Sequence, residues 1–177
     1  GFDTYDLNLA TQYGIIISNV PSYSPSSIAE FAVTQAINIV RNQNDIQRKL
    51  KDYDFRWEPS ILSRSISDLT VAVIGTGRIG SIAASIFAKG YRSHVVAYDP
   101  FPNEKVAQYV EYKDTLEEAL RDADIVTVHI PATKYNPHLF NRDLFSKFKK
   151  GAVFVNAARG SIVDTRALLD AIDSGHI

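Results

Sequence analysis

The 177-residue chain contains no cysteine and no methionine, and a single tryptophan. Without cysteine there are no disulfides and no thiolate chemistry, and a zinc site loses its commonest ligand. Without methionine there is no initiator, so the chain is expected to be a piece of a longer one. No apolar run reaches the length that spans a bilayer, and no signal peptide opens the sequence, so a cytoplasmic protein is expected. Charge is nearly balanced, at a formal net of -1, with no basic stripe carrying interleaved aromatics. Neither nucleic acid nor an anionic membrane is an expected partner. Lys147, Lys149 and Lys150 form the one short basic cluster, which suits a solvated helix end. The 45% hydrophobic and 22% charged composition is that of a globular chain with enough residues for one good core.

The most informative stretch is residues 71–99. Residues 71–74 are an unbroken apolar, largely β-branched run, as expected of a parallel strand covered on both faces. Gly75, Gly77 and Gly80 follow with the spacing G-x-G-x-x-G. Gly75 permits a sharp turn, Gly77 permits backbone to approach a pyrophosphate, and Gly80 permits close helix–strand packing. Ile79, Ile82, Ala83, Ile86 and Phe87 then make a helical apolar stripe, which aims a helix N-terminus at the anion. A second strand over 94–98 ends in Asp99, about 20 residues past the last glycine. An acid there accepts hydrogen bonds from the adenosine ribose and repels the extra phosphate of NADP, so the expected cofactor is NAD.

Upstream, residues 3–13 read as a short helix with Asp3 as N-cap, then Gly14 and a strand over 15–18. Residues 19–25, NVPSYSP, form a loop whose large side chain is Tyr23. Tyr23 either packs beneath the loop or forms a wall of a substrate pocket. Ser27 and Glu30 make a capping-box pattern opening a long helix to about Asp52. Its buried half is expected at Ile28, Phe31, Ala32, Ala36, Ile39 and Val40, and its polar half over 41–49 is expected in water or at a subunit interface. Trp57, Pro59 and Ile61 lie in a connector, where the tryptophan is expected to anchor against a neighbouring surface.

Downstream, Pro100 and Pro102 mark a turn before a short strand over 109–112. Thr115 and Glu118 cap a small helix with Leu116, Ala119 and Leu120, ending near Asp122. A strand over 124–130 is stopped by Pro131. Residues 141–149 read as a helix with Leu144, Phe145 and Phe148 on one face, terminated by Gly151. A fifth strand over 152–156 leads into the turn Ala157, Ala158, Arg159, Gly160, and Asp164 caps a last helix bearing Ala167, Leu168, Ala171 and Ile172. Strands alternating with short helices give an α/β, Rossmann-type doubly wound parallel sheet.

In such sheets ligands lie outside the carboxyl ends of the strands. Arg159, at that lip, offers a planar fork for a substrate carboxylate, or else a surface ion pair. His129 suits either general acid–base work or packing against the cofactor. His94, His138 and His176 have no acidic neighbour at metal-binding or triad spacing, and no metal is expected. Hydride transfer to a ketone needs a proton donor, and this sequence supplies no convincing one.

NVPSYSP followed by IAE, the GTGRIG turn with YD after the next strand, VHIP, and VNAARGSIVDT followed by SGHI resemble the D-isomer-specific 2-hydroxyacid dehydrogenases over essentially the whole chain. YSP and WEPSI point to the lactate branch. The resemblance implies reversible hydride transfer between NADH and pyruvate giving D-lactate. Bulkier 2-oxo acids are the runner-up substrates, and a non-catalytic NAD-sensing corepressor on the same fold is the rival.

It further implies that Arg78, Ile79, Asp99, Ile130, Pro131, Asn136, Ala157 and Ala158 line NAD, that Arg159 orients the substrate, and that Tyr23 approaches from the other domain. Residues 1–24 would be a remnant of a flavodoxin-like substrate domain. Residues 25–70 would be an interdomain and homodimer-forming helix with its connector, and residues 71–177 the NAD-binding domain. The family's catalytic histidine and its glutamate partner would lie downstream, and its substrate-binding loop before Gly1. The 177 residues alone are therefore expected to be inactive, with an unpaired strand edge that favours aggregation. Where the family usually has a second glycine two residues after Gly90, this sequence has Arg92.

Overall fold

The computed structural model describes residues 5–20 and 22–177. The continuous apolar runs become the strands of one parallel sheet: β1 (Thr70–Ile74), β2 (His94–Tyr98), β3 (Glu111–Tyr112), β4 (Ile125–Val128) and β5 (Val153–Asn156). They lie in the order β3-β2-β1-β4-β5, with all pairs parallel. The period of two along β1 divides the core. Val71 and Val73 face one helical layer, and Ala72 and Ile74 the other. This is the doubly wound sheet the alternating elements imply.

The helices are α1 (Leu7–Gln12), α2 (Pro25–Val40), α3 (Gln43–Lys51), α4 (Gly80–Ser85), α5 (Glu104–Ala107), α6 (Leu116–Arg121), α7 (Arg142–Ser146) and α8 (Thr165–Asp173). α2 packs on α4 and β5 through Ala29, Ala32, Val33 and Ala36, small side chains that let the backbones approach. On the opposite face Phe140, Phe145, Phe148 and Phe154 form an aromatic cluster with ring centroids 5.2–6.4 Å apart.

Local cap chemistry is realised in several places. Thr115 accepts from the Glu118 amide, Asn141 from Leu144, and Asp164 from Arg166 and Ala167. α4 runs on into a wider π-type turn, Ile86–Gly90, before β2.

Several expectations are corrected. The first helix is capped by Asp6, whose carboxylate accepts from Leu9; Asp3 lies outside the described residues. Residues 15–18 form no strand, because no neighbouring strand among the described residues offers them a ladder. The long helix starts at Pro25 with Ser24 as N-cap, since proline is pre-organised for the first helical position, and Ser27 lies inside it. It breaks after Val40, where Asn42 adopts φ 50°, so α3 is a separate helix that buries nothing.

Phe31 and Ile39 are exposed rather than buried, because Val33 and Ile37 occupy the inward stripe instead. Trp57 is 70% exposed, so it is not buried against another surface among the described residues. The connector is held instead by Arg64, whose guanidinium meets Asp124 at 2.7 Å. Burial works to raise the Asp124 pKa, but Lys149, the Thr70 amide and Arg64 together hold it below the usual carboxylate range.

The strand expected over 109–112 pairs only at Glu111–Tyr112. The chain before it forms α5, capped by Asn103. β4 ends at Val128, ahead of His129 and Ile130, and the helix over 141–149 shortens to α7. Ile172 on α8 is half exposed.

Candidate functional site

The site is built first by the turn after β1. Gly75 has φ 89°, and a Cβ there would lie 2.8 Å from the Ile130 side chain. A Cβ on Gly80 would lie 1.8 Å from the Gly75 carbonyl oxygen, so α4 sits directly on the turn. Gly77 differs, because nothing lies within 4 Å of its virtual Cβ. The amides of Gly77, Arg78 and Ile79 have no acceptor among the described residues. Open space beside free donors at a helix start fits a pyrophosphate.

At the end of β2 the Asp99 carboxylate is fixed. Its Oδ2 accepts from the Thr76 amide at 2.7 Å and the Thr76 hydroxyl at 3.0 Å, and its Oδ1 from the Phe101 amide at 2.9 Å. No lysine or arginine among the described residues pairs with it. That environment suits ribose hydroxyls and disfavours a second phosphate.

A cavity of about 950 Å³ opens at the carboxyl ends of β1, β4 and β5. Gly77, Arg78 and Ile79 line it from β1, His129, Ile130 and Pro131 from β4, and Ala157, Ala158 and Arg159 from β5. Tyr23 and its loop line it from the N-terminal segment. Tyr23 is 81% exposed, so it is a wall of this cavity rather than packing beneath its loop.

Asn136 is not in the lining. Its carboxamide closes the loop after β4, accepting from Thr133 and donating to the Pro131 carbonyl at 2.9 Å. Among the described residues no group of His, Cys, Asp and Glu is placed to hold a metal, and no helix is long and apolar enough to cross a membrane.

Residues 33–177 match the family model of the D-isomer specific 2-hydroxyacid dehydrogenase, NAD binding domain. The chain belongs to this family. It is 48% identical over 175 residues to a D-lactate dehydrogenase of Staphylococcus aureus, covering 99% of this chain and 52% of that protein. The chain thus spans about half the length of the curated relatives it matches.

Among solved structures, the D-lactate dehydrogenase from Aquifex aeolicus complexed with NAD and lactic acid superposes with a TM-score of 0.92 at 35% identity, covering 100% of this chain and 53% of that one. A D-2-hydroxyisocaproate dehydrogenase superposes at 0.87 with 37% identity, covering 99% and 53%. The backbone therefore does not separate small from bulky substrates.

Around this cavity, three further side chains bear on the candidate site, and no motif in the sequence marks their roles. Thr76 occupies the position between the first two glycines, where the motif's spacing says nothing about a hydroxyl. Asn156, the last residue of β5, donates to the Arg159 carbonyl at 2.9 Å and accepts from the Ala158 amide at 3.0 Å, bracing the turn that carries Arg159. Its position just before that turn was the available signal. Thr127 is fully buried and meets His129 Nε2 at 3.0 Å, while His129 Nδ1 is buried with no partner among the described residues. Burial lowers the His129 pKa from 6.5 to about 4.

Proposed function

We propose that this chain forms the dinucleotide-binding part of an NAD-dependent D-lactate dehydrogenase, which interconverts pyruvate and D-lactate. The observation that carries the reading is one cavity bounded by the open Gly77 turn, the Ile130–Pro131 lip, Arg159 and Tyr23.

The cofactor, when bound, supplies the hydride donor or acceptor. The amides of Gly77, Arg78 and Ile79 would receive its pyrophosphate, and Asp99 its adenosine ribose. Ile130, Pro131, Ala157 and Ala158 would give it apolar walls. Arg159 would hold the substrate carboxylate through its guanidinium fork and set the orientation of the keto group. Tyr23 would close the pocket from the opposite side and exclude water. His129 is neutral at physiological pH because of its burial, so it suits a wall rather than the proton donor. Asn136 acts on the cofactor side by shaping the loop after Pro131.

The same reading places residues 1–24 in a substrate domain, residues 25–70 in an interdomain and dimerisation helix with its connector, and residues 71–177 in the dinucleotide domain of a cytoplasmic homodimer. Support comes from the exposed apolar side chains of Ile16, Phe31, Ile39 and Phe55, which a second surface would cover.

The test is NADH oxidation by the full-length protein with pyruvate and a panel of bulkier 2-oxo acids, with the chirality of the product determined. Preference for pyruvate with D-lactate formed is expected. Turnover of branched substrates alone would move the protein to the bulkier-substrate enzymes. NADH binding without any turnover would make it a sensor.

A further inference from the structure

Asp99 is the end of a hydrogen-bond chain that crosses three strands. The Asn103 amide donates to the Tyr112 hydroxyl at 3.0 Å, and Tyr112 donates to Thr76 Oγ1 at 2.7 Å. Thr76 in turn donates to Asp99 Oδ2 at 3.0 Å. The two ends fix the direction of every proton. A backbone N–H can only donate and an ionised carboxylate can only accept. Reversing the middle bond would leave the threonine oxygen facing the carboxylate with no proton between them.

A carboxylate has about four acceptor positions. The Thr76 amide and hydroxyl take two on Oδ2 and the Phe101 amide takes one on Oδ1, which leaves one on Oδ1 for an incoming hydroxyl. Thr76 is 2% exposed and Tyr112 half-buried, so water competes poorly for these bonds.

We infer that Tyr112 and Thr76 are specificity-determining positioning residues, which lock the Asp99 carboxylate in the one orientation that accepts a ribose hydroxyl and repels a ribose phosphate. The inference rests on the proposed dinucleotide site and deepens it. Tyr112 does not touch the cofactor; it acts through Thr76, whose proton it directs at Asp99. Loss of the phenol hydroxyl leaves Thr76 free to rotate and the Asn103 amide without its acceptor. The carboxylate is then held by the Thr76 and Phe101 amides without a directed hydroxyl, and its looser orientation weakens both its grip on NADH and its repulsion of NADPH.

The experiment measures dissociation constants for NADH and NADPH, by nicotinamide fluorescence, on the full-length protein and its Tyr112→Phe, Thr76→Val and Thr76→Ser variants. The preference for NADH over NADPH is expected to fall about tenfold in Tyr112→Phe and further in Thr76→Val, and to be restored in Thr76→Ser, which keeps the hydroxyl. A purely structural role would lower the melting temperature and weaken both cofactors equally, so an unchanged preference in Tyr112→Phe and Thr76→Val overturns the inference. Should Thr76→Val fail to fold, Tyr112→Phe and Thr76→Ser decide alone. Failure of the unaltered protein to bind NADH would overturn the proposed function and this inference with it. Binding without turnover of any 2-oxo acid would remove the proposed reaction and leave the comparison of the two cofactors intact.

Discussion

The Asn156 carboxamide bridges the turn that carries Arg159, donating to the Arg159 carbonyl at 2.9 Å while accepting from the Ala158 amide at 3.0 Å. The arginine is thereby tied to the last residue of β5, a rigid element, instead of to a free loop. Asn156→Ala should lower kcat/KM for the 2-oxo acid about 5- to 30-fold, the equivalent of about 1–2 kcal/mol for two lost hydrogen bonds. The KM for the acid should move more than the affinity for NADH. An unchanged KM in steady-state kinetics of the full-length enzyme would remove this bracing role.

Gly80 and Gly77 share a motif but should fail differently. Gly80→Ala puts a methyl 1.8 Å from a backbone oxygen that cannot move aside, so a loss of about 3 kcal/mol or more in stability is expected. Gly77→Ala meets nothing within 4 Å, so its melting temperature should stay near that of the parent. Its affinity for NADH should fall at least about tenfold, because the methyl enters the space left for the pyrophosphate. Thermal melts paired with NADH titrations separate the two, and equal loss of stability in both would contradict the geometry.

His129 gives the fold a pH dependence whose sign follows from burial. Its pKa is lowered from 6.5 to about 4 in the folded chain. As pH falls through 6.5 the unfolded chain takes up a proton that folded His129 refuses until about pH 4. The corresponding stability is full above pH 6.5 and is lost, by about 3 kcal/mol, on the way down to pH 4. His129→Gln should flatten the fall of melting temperature across this window relative to the parent protein. Parallel curves for the two would place His129 in water.

Arg92 sits at φ 58° two residues before the start of β2, where the left-handed backbone crowds any Cβ. This is the position at which the family usually carries glycine, and β2 nonetheless starts at His94. Its side chain is exposed, so Arg92→Gly should relieve strain without opening a cavity. A gain of about 1 kcal/mol is expected, read as a rise of about 2–4 °C in melting temperature. A fall would show that the arginine makes contacts worth more than the strain.

Much of this fold was legible because the rules that specify it act over a few residues. The apolar run before Gly75 has to be a strand covered on both faces, and the G-x-G-x-x-G spacing has to turn it into a helix. Thr115, Asn141 and Asp164 begin helices through side chains that reach only two or three residues ahead. The placement of Asp99 and Arg159 just past the carboxyl ends of β2 and β5 was legible for the same reason, since position at a strand's end is a local property of the chain.

What the tertiary structure decided concerns groups that meet only when strands are laid side by side. Tyr112 reaches Thr76 from 36 residues away because β3 and β1 flank β2, and Arg64 reaches Asp124 from 60 residues away where the connector passes the start of β4. Apolar pattern alone points Phe31 and Ile39 to the interior, whereas the close contact of α2 with α4 and β5 takes its alanine stripe and Val33 inside, with Ile37 and Val40 partly buried beside them. The neutrality of His129 likewise comes from desolvation by surrounding elements. Helical period, cap and turn are written within one segment; register, close approach and burial depend on the neighbours that folding supplies.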